Sequence, residues 1–296
     1  MASRLDQLLV ERGLFASREQ ARRAVMAGLI RVDGRRMDKP GTAVGVAAAL
    51  EVAEREPFVS RAGRKLAAAL DHYGLDPAGW VCLDVGASTG GFTHCLLERG
   101  ARRVYALDVG HGQLDQRLRH DPRVVVMERV NARHLAAGAL PEACDLITVD
   151  VSFISLLKVV PALLPHLRRP AAAVPGASGA GGYLLVLIKP QFEAGRGAVG
   201  KGGILRDEAL RRRVIEECAG RLAAIGAIGA VGAVGATSAT GAASESREAG
   251  ELEAAAIGDH GAPAAALELA GACFDSPVAG SGGNREAFAL LRWRAR

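Results

Sequence analysis

The stretch from Val81 to Phe92, Val-Cys-Leu-Asp-Val-Gly-Ala-Ser-Thr-Gly-Gly-Phe, restricts the fold of this chain more than any other. It begins as a short apolar run, the pattern of a buried strand. It then turns glycine-rich and passes into a helical pattern carried by Phe92, Cys95 and Leu96. Glycine accepts backbone angles that a side chain forbids, so a strand feeding a helix through glycines lets the main chain approach a ligand closely. The helix behind the turn begins with unpaired N–H groups and a partial positive charge. Any nucleotide-like ligand satisfies that description, and so does an ordinary glycine turn in an α/β domain. Two carboxylates narrow it. Asp84 lies two residues before Gly86, and Asp108 closes the next strand-like run, Arg103-Val-Tyr-Ala-Leu-Asp. A carboxylate at the tip of the second strand is placed to accept both hydroxyls of a ribose. The spacing Asp-x-Gly-x-Ser-x-Gly departs from the dinucleotide pattern Gly-x-Gly-x-x-Gly, which needs its first two glycines at a pyrophosphate.

Around this element strands and helices alternate. Strand-like runs at Val104–Val109, Val124–Val130, Leu146–Asp150 and Tyr183–Lys189 are separated by helical patterns at Gln113–Arg119 and Leu156–Leu167. Ahead of them a helix starts with Ser60 as cap and buries Leu66, Ala69, Leu70 and Tyr73. This alternation predicts an α/β fold with a parallel, doubly wound sheet, whose ligand crevice lies beyond the carboxyl ends of the strands. Asp84, Asp108, Asp150 and Lys189 all fall at such ends. A lysine closing a buried strand is costly unless paired or neutral. Beside Asp150, with a second lysine and acid nearby, Lys189 is placed to take a proton at neutral pH. Lys65, just off the apolar stripe of its helix, reads from the residues alone as a solvent lysine. His94, His111 and His134 are alternative bases, although scattered histidines are more often structural. No zinc-ligand spacing and no P-loop occurs, so no metal is expected.

Leu267–Phe274 and Ala287–Trp293 read as the last two strands, joined by a glycine-rich turn holding Asn284 and Glu286. Two Ala-, Gly- and Ser-rich tracts, 169–182 and 226–263, read as inserted surface loops. The Ala-Ile-Gly-Ala-Val-Gly repeat at the start of the second is alternatively a strand.

Residues 1–58 form a separate unit. Leu5, Leu8 and Leu9 mark an amphipathic helix ending near Gly13. Ser17 and Gln20 form a capping box before a second helix with Ala21, Ala24 and Val25 inward and Gly28 at its left-handed end. A strand and turn, Leu29 to Gly34, follow. Arg18, Arg22, Arg23, Arg31, Arg35, Arg36 and Lys39 stay outside the core, with Arg4 at the start. Like charges crowded this way repel unless a polyanion pairs them. The net charge of +5 agrees with such a partner. An apolar content of 49% across 296 residues supports one large domain and a small one. The five cysteines form no Cys-x-x-Cys pair and read as free buried thiols of a reducing cytoplasm. The N-terminus lacks the apolar core of a signal peptide, and no apolar run approaches the roughly 20 residues of a membrane helix. A cytoplasmic location without membrane partner is expected.

Several of these pieces resemble known families. Ser-Arg-x-Gln-Ala, then Gly-x-Ile-x-Val-Asp-Gly and Lys-Pro, resembles the S4 RNA-binding domain. It has no interleaved aromatics, which points to shape and phosphate contacts on folded RNA. Val81–Phe92 resembles motif I of S-adenosylmethionine (SAM)-dependent methyltransferases, where Asp84 faces the methionine part of the ligand. Ser60-Arg-Ala-Gly-Arg-Lys-Leu, Asp84-Val-Gly-Ala-Ser-Thr-Gly-Gly-Phe-Thr, Tyr105-Ala-Leu-Asp-Val-Gly, Asp150-Val-Ser-Phe-Ile-Ser, Ile188-Lys-Pro-Gln-Phe-Glu and Gly-Asn284-Arg-Glu286 together resemble the TlyA family. That resemblance implies an S4 domain over residues 1–58 and a Rossmann-like RrmJ/FtsJ-type methyltransferase over 59–296. It also implies SAM as cofactor and methylation of a cytidine 2′-O in ribosomal RNA, with ribosomal subunits as partners. It implies a tetrad of Lys65, Asp150, Lys189 and Glu286. Lys189 is the base, Asp150 eases its deprotonation and helps hold SAM, and Lys65 with Glu286 orients the ribose. SAM contacts are implied for Asp84, Gly86, Ala87, Ser88, Thr89, Gly90, Gly91, Phe92, Asp108, Asn131 and Asp150. His94 and His111 stand where relatives more often carry Asp and Tyr. Two other readings are a haemolysin-like membrane-active protein, a label the family also bears, and a non-catalytic RNA-binding factor of ribosome assembly.

Overall fold

A computed structural model of the protein describes residues 2–53, 56–170, 181–195, 199–200, 203–229, 265–280 and 283–295. The chain divides into two compact units, Met1–Pro57 and Phe58–Arg296.

In the first unit, strand β1 (Ala2–Arg4) leads into helix α1 (Leu5–Glu11), which packs on α2 (Arg18–Met26). Four short strands follow: β2 (Ile30–Val32), β3 (Arg35–Met37), β4 (Ala43–Gly45) and β5 (Leu50–Val52). Leu5, Leu8 and Leu9 of α1 meet Ala21, Ala24 and Val25 of α2 over Ile30, Val32 and Val44. The Ser17 hydroxyl accepts the Gln20 N–H at 3.3 Å, which starts α2. Gly28, at φ +69, ends it in the left-handed conformation. Asp33 and Gly34, both at positive φ, make the two-residue turn that joins β2 to β3.

The second unit opens with α3 (Ala62–Tyr73) and then alternates β6 (Val81–Val85), α4 (Gly91–Glu98), β7 (Arg103–Asp108), α5 (Gln116–Arg119) and β8 (Val124–Glu128). After a 3-10 turn at Ala132–His134 come β9 (Leu146–Val149), α6 (Leu156–Leu163), β10 (Tyr183–Ile188), α7 (Pro190–Glu193) and α8 (Glu208–Gly229). The remaining described strands are β11 (Ala265–Leu269), β12 (Phe274–Asp275) and β13 (Ala287–Ala295). The sheet runs β11-β13-β10-β9-β6-β7-β8, with β12 paired to β13. Strands β8, β7, β6, β9 and β10 are parallel. Strand β13 is antiparallel to β10, and β11 antiparallel to β13, so the expected parallel sheet carries an antiparallel edge.

Side chains alternate across this sheet. Val81, Leu83 and Val85 face one core with α6 and α8, whereas Cys82 faces another with α3 and α4. The chain passes from β6 outward through β7 and β8, then returns to β9 on the other side of β6. The strand order therefore reverses between β6 and β9, which is where sheets of this kind open a ligand crevice.

Helix α8 departs from the sequence expectation. Ile215, Cys218, Ala219 and Leu222 form a buried stripe at helical spacing, in a segment where the sequence reading places no element. Its backbone stays helical through Gly229, where a loop or a strand was expected. The rest of that tract, 230–263, and residues 171–180 of the other lie outside the described residues. Cys82, Cys95, Cys144 and Cys218 are free and buried, and Cys273 is free and half-buried. Burial pushes the thiols of Cys95, Cys144 and Cys218 up to about 12.

Candidate active site

The glycine turn after β6 is shaped by close approach. Gly86 sits at φ +84, and a Cβ on it would lie 2.4 Å from the Asp150 carbonyl oxygen. The N–H groups of Gly86 and Ala87 both donate to the Leu107 carbonyl, tying the turn to β7. Ser88 takes a positive φ of 48 without being glycine. Its N–H donates to Asp108 Oδ2 at 2.8 Å, and the Gly110 N–H donates to Oδ1 at 2.6 Å. Each carboxylate oxygen keeps a further acceptor direction. Thr89 is exposed beside them. Gly90, at φ +93, caps α4, and a Cβ on Gly91 would lie 2.4 Å from Ser60 Oγ. Ser60 therefore covers Gly91 and does not cap α3 as expected; Arg61 precedes that helix with no side-chain cap.

Three implied SAM-site residues are placed in ways the sequence did not indicate. Asp84 is fully buried, with Oδ2 accepting the Thr93 hydroxyl at 2.7 Å and Oδ1 the Thr148 hydroxyl at 3.1 Å. Burial pushes its carboxyl up to about 7, against the opposing pull of those two bonds. It braces the turn from beneath and is not brought to the surface. The Phe92 ring lies in the core beside Phe288, centroids 6.1 Å apart, which leaves only its backbone for a ligand. Asn131 is exposed, and its Oδ1 accepts the Arg133 N–H at 3.1 Å, starting the 3-10 turn. The Val130 N–H donates to the Asp108 carbonyl, so Asn131 is held next to Asp108.

At the ends of β9 and β10, two lysine–carboxylate pairs assemble. Lys189 Nζ lies 2.6 Å from Asp150 Oδ1 and donates to Ser152 Oγ at 2.9 Å. The 2.6 Å contact is an ion pair without hydrogen-bond alignment, so Asp150 Oδ1 is buried with an acceptor direction unfilled. Lys65 Nζ donates to Glu286 Oε2 at 2.6 Å, across 221 residues of chain. Lys65 is buried, contrary to the solvent reading of its position. The two pairs share one edge of the crevice, because Ile188 faces Ala287 in the β10–β13 ladder, and Lys189 and Glu286 are their neighbours. Glu286 is nested tightly: a Cβ on Gly280 would lie 2.1 Å from Glu286 Oε1. Asn284 is buried and clamps the chain opposite, accepting the Leu205 N–H and donating to the Gly203 carbonyl. Asp150 and Ser152 together fix the direction of Lys189 Nζ.

Phe153 was missed by sequence reasoning. It follows Asp150 by three residues, sits at φ +65 and is 90% exposed. Its ring lies 5.1 Å from that of Phe192. A cavity of about 790 Å³ opens there, lined by Phe153, Phe192, Gln191, Arg133 and Lys158. Positive φ on an exposed aromatic residue is strain of the kind held at functional sites. Thr93 and Thr148, the partners of Asp84, were also missed. The alternative bases fall elsewhere: His94 Nδ1 accepts the Val59 N–H at 3.1 Å, while His111 and His134 are exposed.

In the first unit Arg4, Arg18, Arg22, Arg23, Arg31, Arg35, Arg36 and Lys39 are all exposed. Arg4, Arg18, Arg22 and Arg23 line a groove of about 660 Å³ with Asp6, Glu19 and Met26. Arg31 bonds the Gly34 carbonyl, and the Arg36 guanidinium covers Gly28, where any Cβ would collide with it.

The crevice suits a ligand that carries a diol and positive charge. Asp108 retains acceptor directions beside the glycine turn, and Asp150 adds a second carboxylate at the end of β9. Among the described residues no group of three or more His, Cys, Asp or Glu is arranged to hold a metal ion. Among them, too, no helix is long and apolar enough to cross a membrane.

Comparison with known proteins finds one family match within each unit. Residues 58–225 match the FtsJ-like methyltransferase family and residues 3–48 the S4 domain. The chain is 47% identical over 226 residues to the 16S/23S rRNA (cytidine-2′-O)-methyltransferase TlyA of Mycobacterium tuberculosis, covering 76% of this chain and 80% of that protein. It is 39% identical over 224 residues to Hemolysin A of Brachyspira hyodysenteriae, covering 75% of this chain and 89% of that one. A solved structure of a candidate hemolysin from Streptococcus thermophilus aligns with a TM-score of 0.63 at 33% identity, over 98% of this chain and 88% of that one.

Proposed function

Since the chain belongs to the FtsJ-like methyltransferase family and carries an S4 domain ahead of that unit, we propose that it methylates the 2′-hydroxyl of a cytidine in ribosomal RNA. Its cofactor is S-adenosylmethionine, which supplies a methyl group on a positively charged sulfur. The substrate follows from the 47% identical mycobacterial enzyme, which bears that activity in its name. The observation that carries the reading is the pairing of Lys189 with Asp150 and of Lys65 with Glu286 along one edge of the crevice.

The chain's own groups divide the work as follows. Asp108 and Asn131 hold the nucleoside end of the cofactor, and the backbone from Gly86 to Gly91 closes over it with Ala87, Ser88, Thr89 and Gly90. Asp84 keeps that turn in shape through Thr93 and Thr148. A ribose hydroxyl is a weak nucleophile, so its attack needs alignment and removal of its proton. Lys189, in its neutral amine form, receives that proton at Nζ, while Asp150 and Ser152 fix the direction of the nitrogen. Lys65 and Glu286, locked to each other, supply one donor and one acceptor for the ribose oxygens. Phe153 offers an exposed face to the base. In the S4 domain the exposed arginines and Lys39 bind the RNA backbone, and the protein acts on ribosomal subunits in the cytoplasm.

The test is transfer of tritiated methyl from SAM to ribosomal subunits. Incorporation by the wild type and its loss in Lys189→Ala are expected. Absence of label from both subunits, or full activity of the variant, refutes the reading.

A further inference from the structure

Asp6 is the one buried carboxylate of the N-terminal unit among its described residues, at 1% exposure, and it faces two cations that are themselves exposed. Its Oδ1 accepts Arg4 Nε at 3.1 Å, and its Oδ2 accepts Arg4 Nη2 at 3.1 Å and Arg18 Nε at 2.9 Å. The side chains of Arg4 and Arg18 are 49% and 52% exposed, whereas that of Asp6 is 2% exposed. Hydrogen bonding from Arg4, foremost, and then from Arg18 holds the Asp6 carboxyl below its ordinary range against the effect of burial. On the far side, a Cβ on Gly41 would lie 3.0 Å from Arg4 Nη1, so the chain leaves room there for the guanidinium and nothing larger.

An exposed arginine normally samples many rotamers, and fixing it on a ligand costs side-chain freedom. A buried anion that grips two guanidiniums by their inner edges removes that freedom before the ligand arrives. The carboxylate occupies two of the five N–H donors of Arg4 and one of those of Arg18, leaving the outer donors for the groove. Arg22, one turn on from Arg18 along α2, lines the same groove.

We propose that Asp6 is a positioning residue for RNA: from inside the S4 domain it sets Arg4 and Arg18 as a two-armed clamp on the phosphodiester backbone. This rests on the reading of the protein as a ribosomal RNA binder and adds the device that orders its contacts. Charge alone makes the opposite forecast. Removing the carboxylate raises the net positive charge of the groove by one, which by counterion release tightens binding and steepens its salt dependence.

The experiment is filter binding of the full-length chain to protein-free 16S plus 23S ribosomal RNA across a KCl series. It compares wild type, Asp6→Asn, Arg4→Gln/Arg18→Gln, and the triple variant. The clamp predicts about tenfold weaker binding for Asp6→Asn, a salt slope shallower by about one, and no further loss when Asp6→Asn is added to the double arginine variant. Binding by Asp6→Asn that equals or exceeds the wild type overturns the inference, as does an undiminished effect in the double-variant background. Should Asp6→Asn fail to fold, Arg18→Lys carries the same question, since it keeps the charge and loses the Nε donor. Severalfold weaker binding supports the clamp, and unchanged binding overturns it. No binding by the wild type removes the ribosomal RNA reading itself, and the clamp with it.

Discussion

The two units of this protein treat charge in opposite ways. In the methyltransferase unit the cations are withdrawn from solvent, Lys65 buried and Lys189 partly buried, each against a carboxylate. In the S4 unit the cations are exposed and the carboxylate, Asp6, is inside. The difference follows from what each charge must meet. A group that handles one proton on one hydroxyl needs a fixed, dry position, which a buried pair provides at the expense of desolvation. A surface that holds a polyanion needs cations in water, where each displaces counterions and none is committed to a single atom.

The largest effect that sharpens this contrast is at Lys189. Lys189→Ala is expected to lower the methyl-transfer rate by about a thousandfold, in the range general-base removal gives, while RNA affinity stays within about twofold. A parallel collapse of RNA binding breaks the division between the units. Next comes the second pair. Lys65→Met leaves Glu286 charged, unpartnered and nested against Gly280. The expected outcome is about a hundredfold slower transfer and about 3 kcal/mol less stability by urea unfolding. Restored stability in Lys65→Met/Glu286→Gln identifies the orphaned charge as the cause.

Asp84 is the third test, and it concerns pH. Its folded-state carboxyl titrates at about 7, above its ordinary value, so the folded state binds the extra proton. The stability this contributes is present in full below about pH 4 and is lost as pH rises through about 7. The wild type minus Asp84→Asn difference in unfolding free energy therefore falls between those limits, by a total on the order of 4 kcal/mol. A flat difference shows that burial leaves this carboxyl unshifted. The smallest effect belongs to the open surface: Arg22→Ala is expected to weaken RNA binding about threefold and reduce the salt slope by about one. An unchanged slope removes Arg22 from the contact.

Much of this arrangement is written locally and some of it is not. The apolar runs of β6, β7 and β10 and the glycines between β6 and α4 each announce themselves within ten residues. For that reason the turn, the acids at the strand ends and Lys189 were visible in the sequence. Lys65 was not, because helical periodicity places it off the apolar stripe and its partner Glu286 is 221 residues away. Only the closing of β13 against β10 brings them together. The antiparallel sense of β13 has no local signature either, since a strand's direction is set by its connection and not by its residues. Phe153 carries no periodic signal at all; neither its positive φ nor its exposure is written in the residues around it. Asp84 misleads in the other direction. Its place at a strand end reads as ligand-facing, yet Thr93 and Thr148 turn it inward.

The central claim, that two lysine–carboxylate pairs direct a methyl group to a sugar oxygen, is tested most directly by mapping where the methyl arrives. Ribosomal RNA treated with SAM and the wild-type protein should gain alkali-resistant linkages at cytidine 2′-O, and RNA treated with Lys189→Ala should gain none. Methyl found on a base nitrogen or carbon, or the same 2′-O mark made by the variant, contradicts the account.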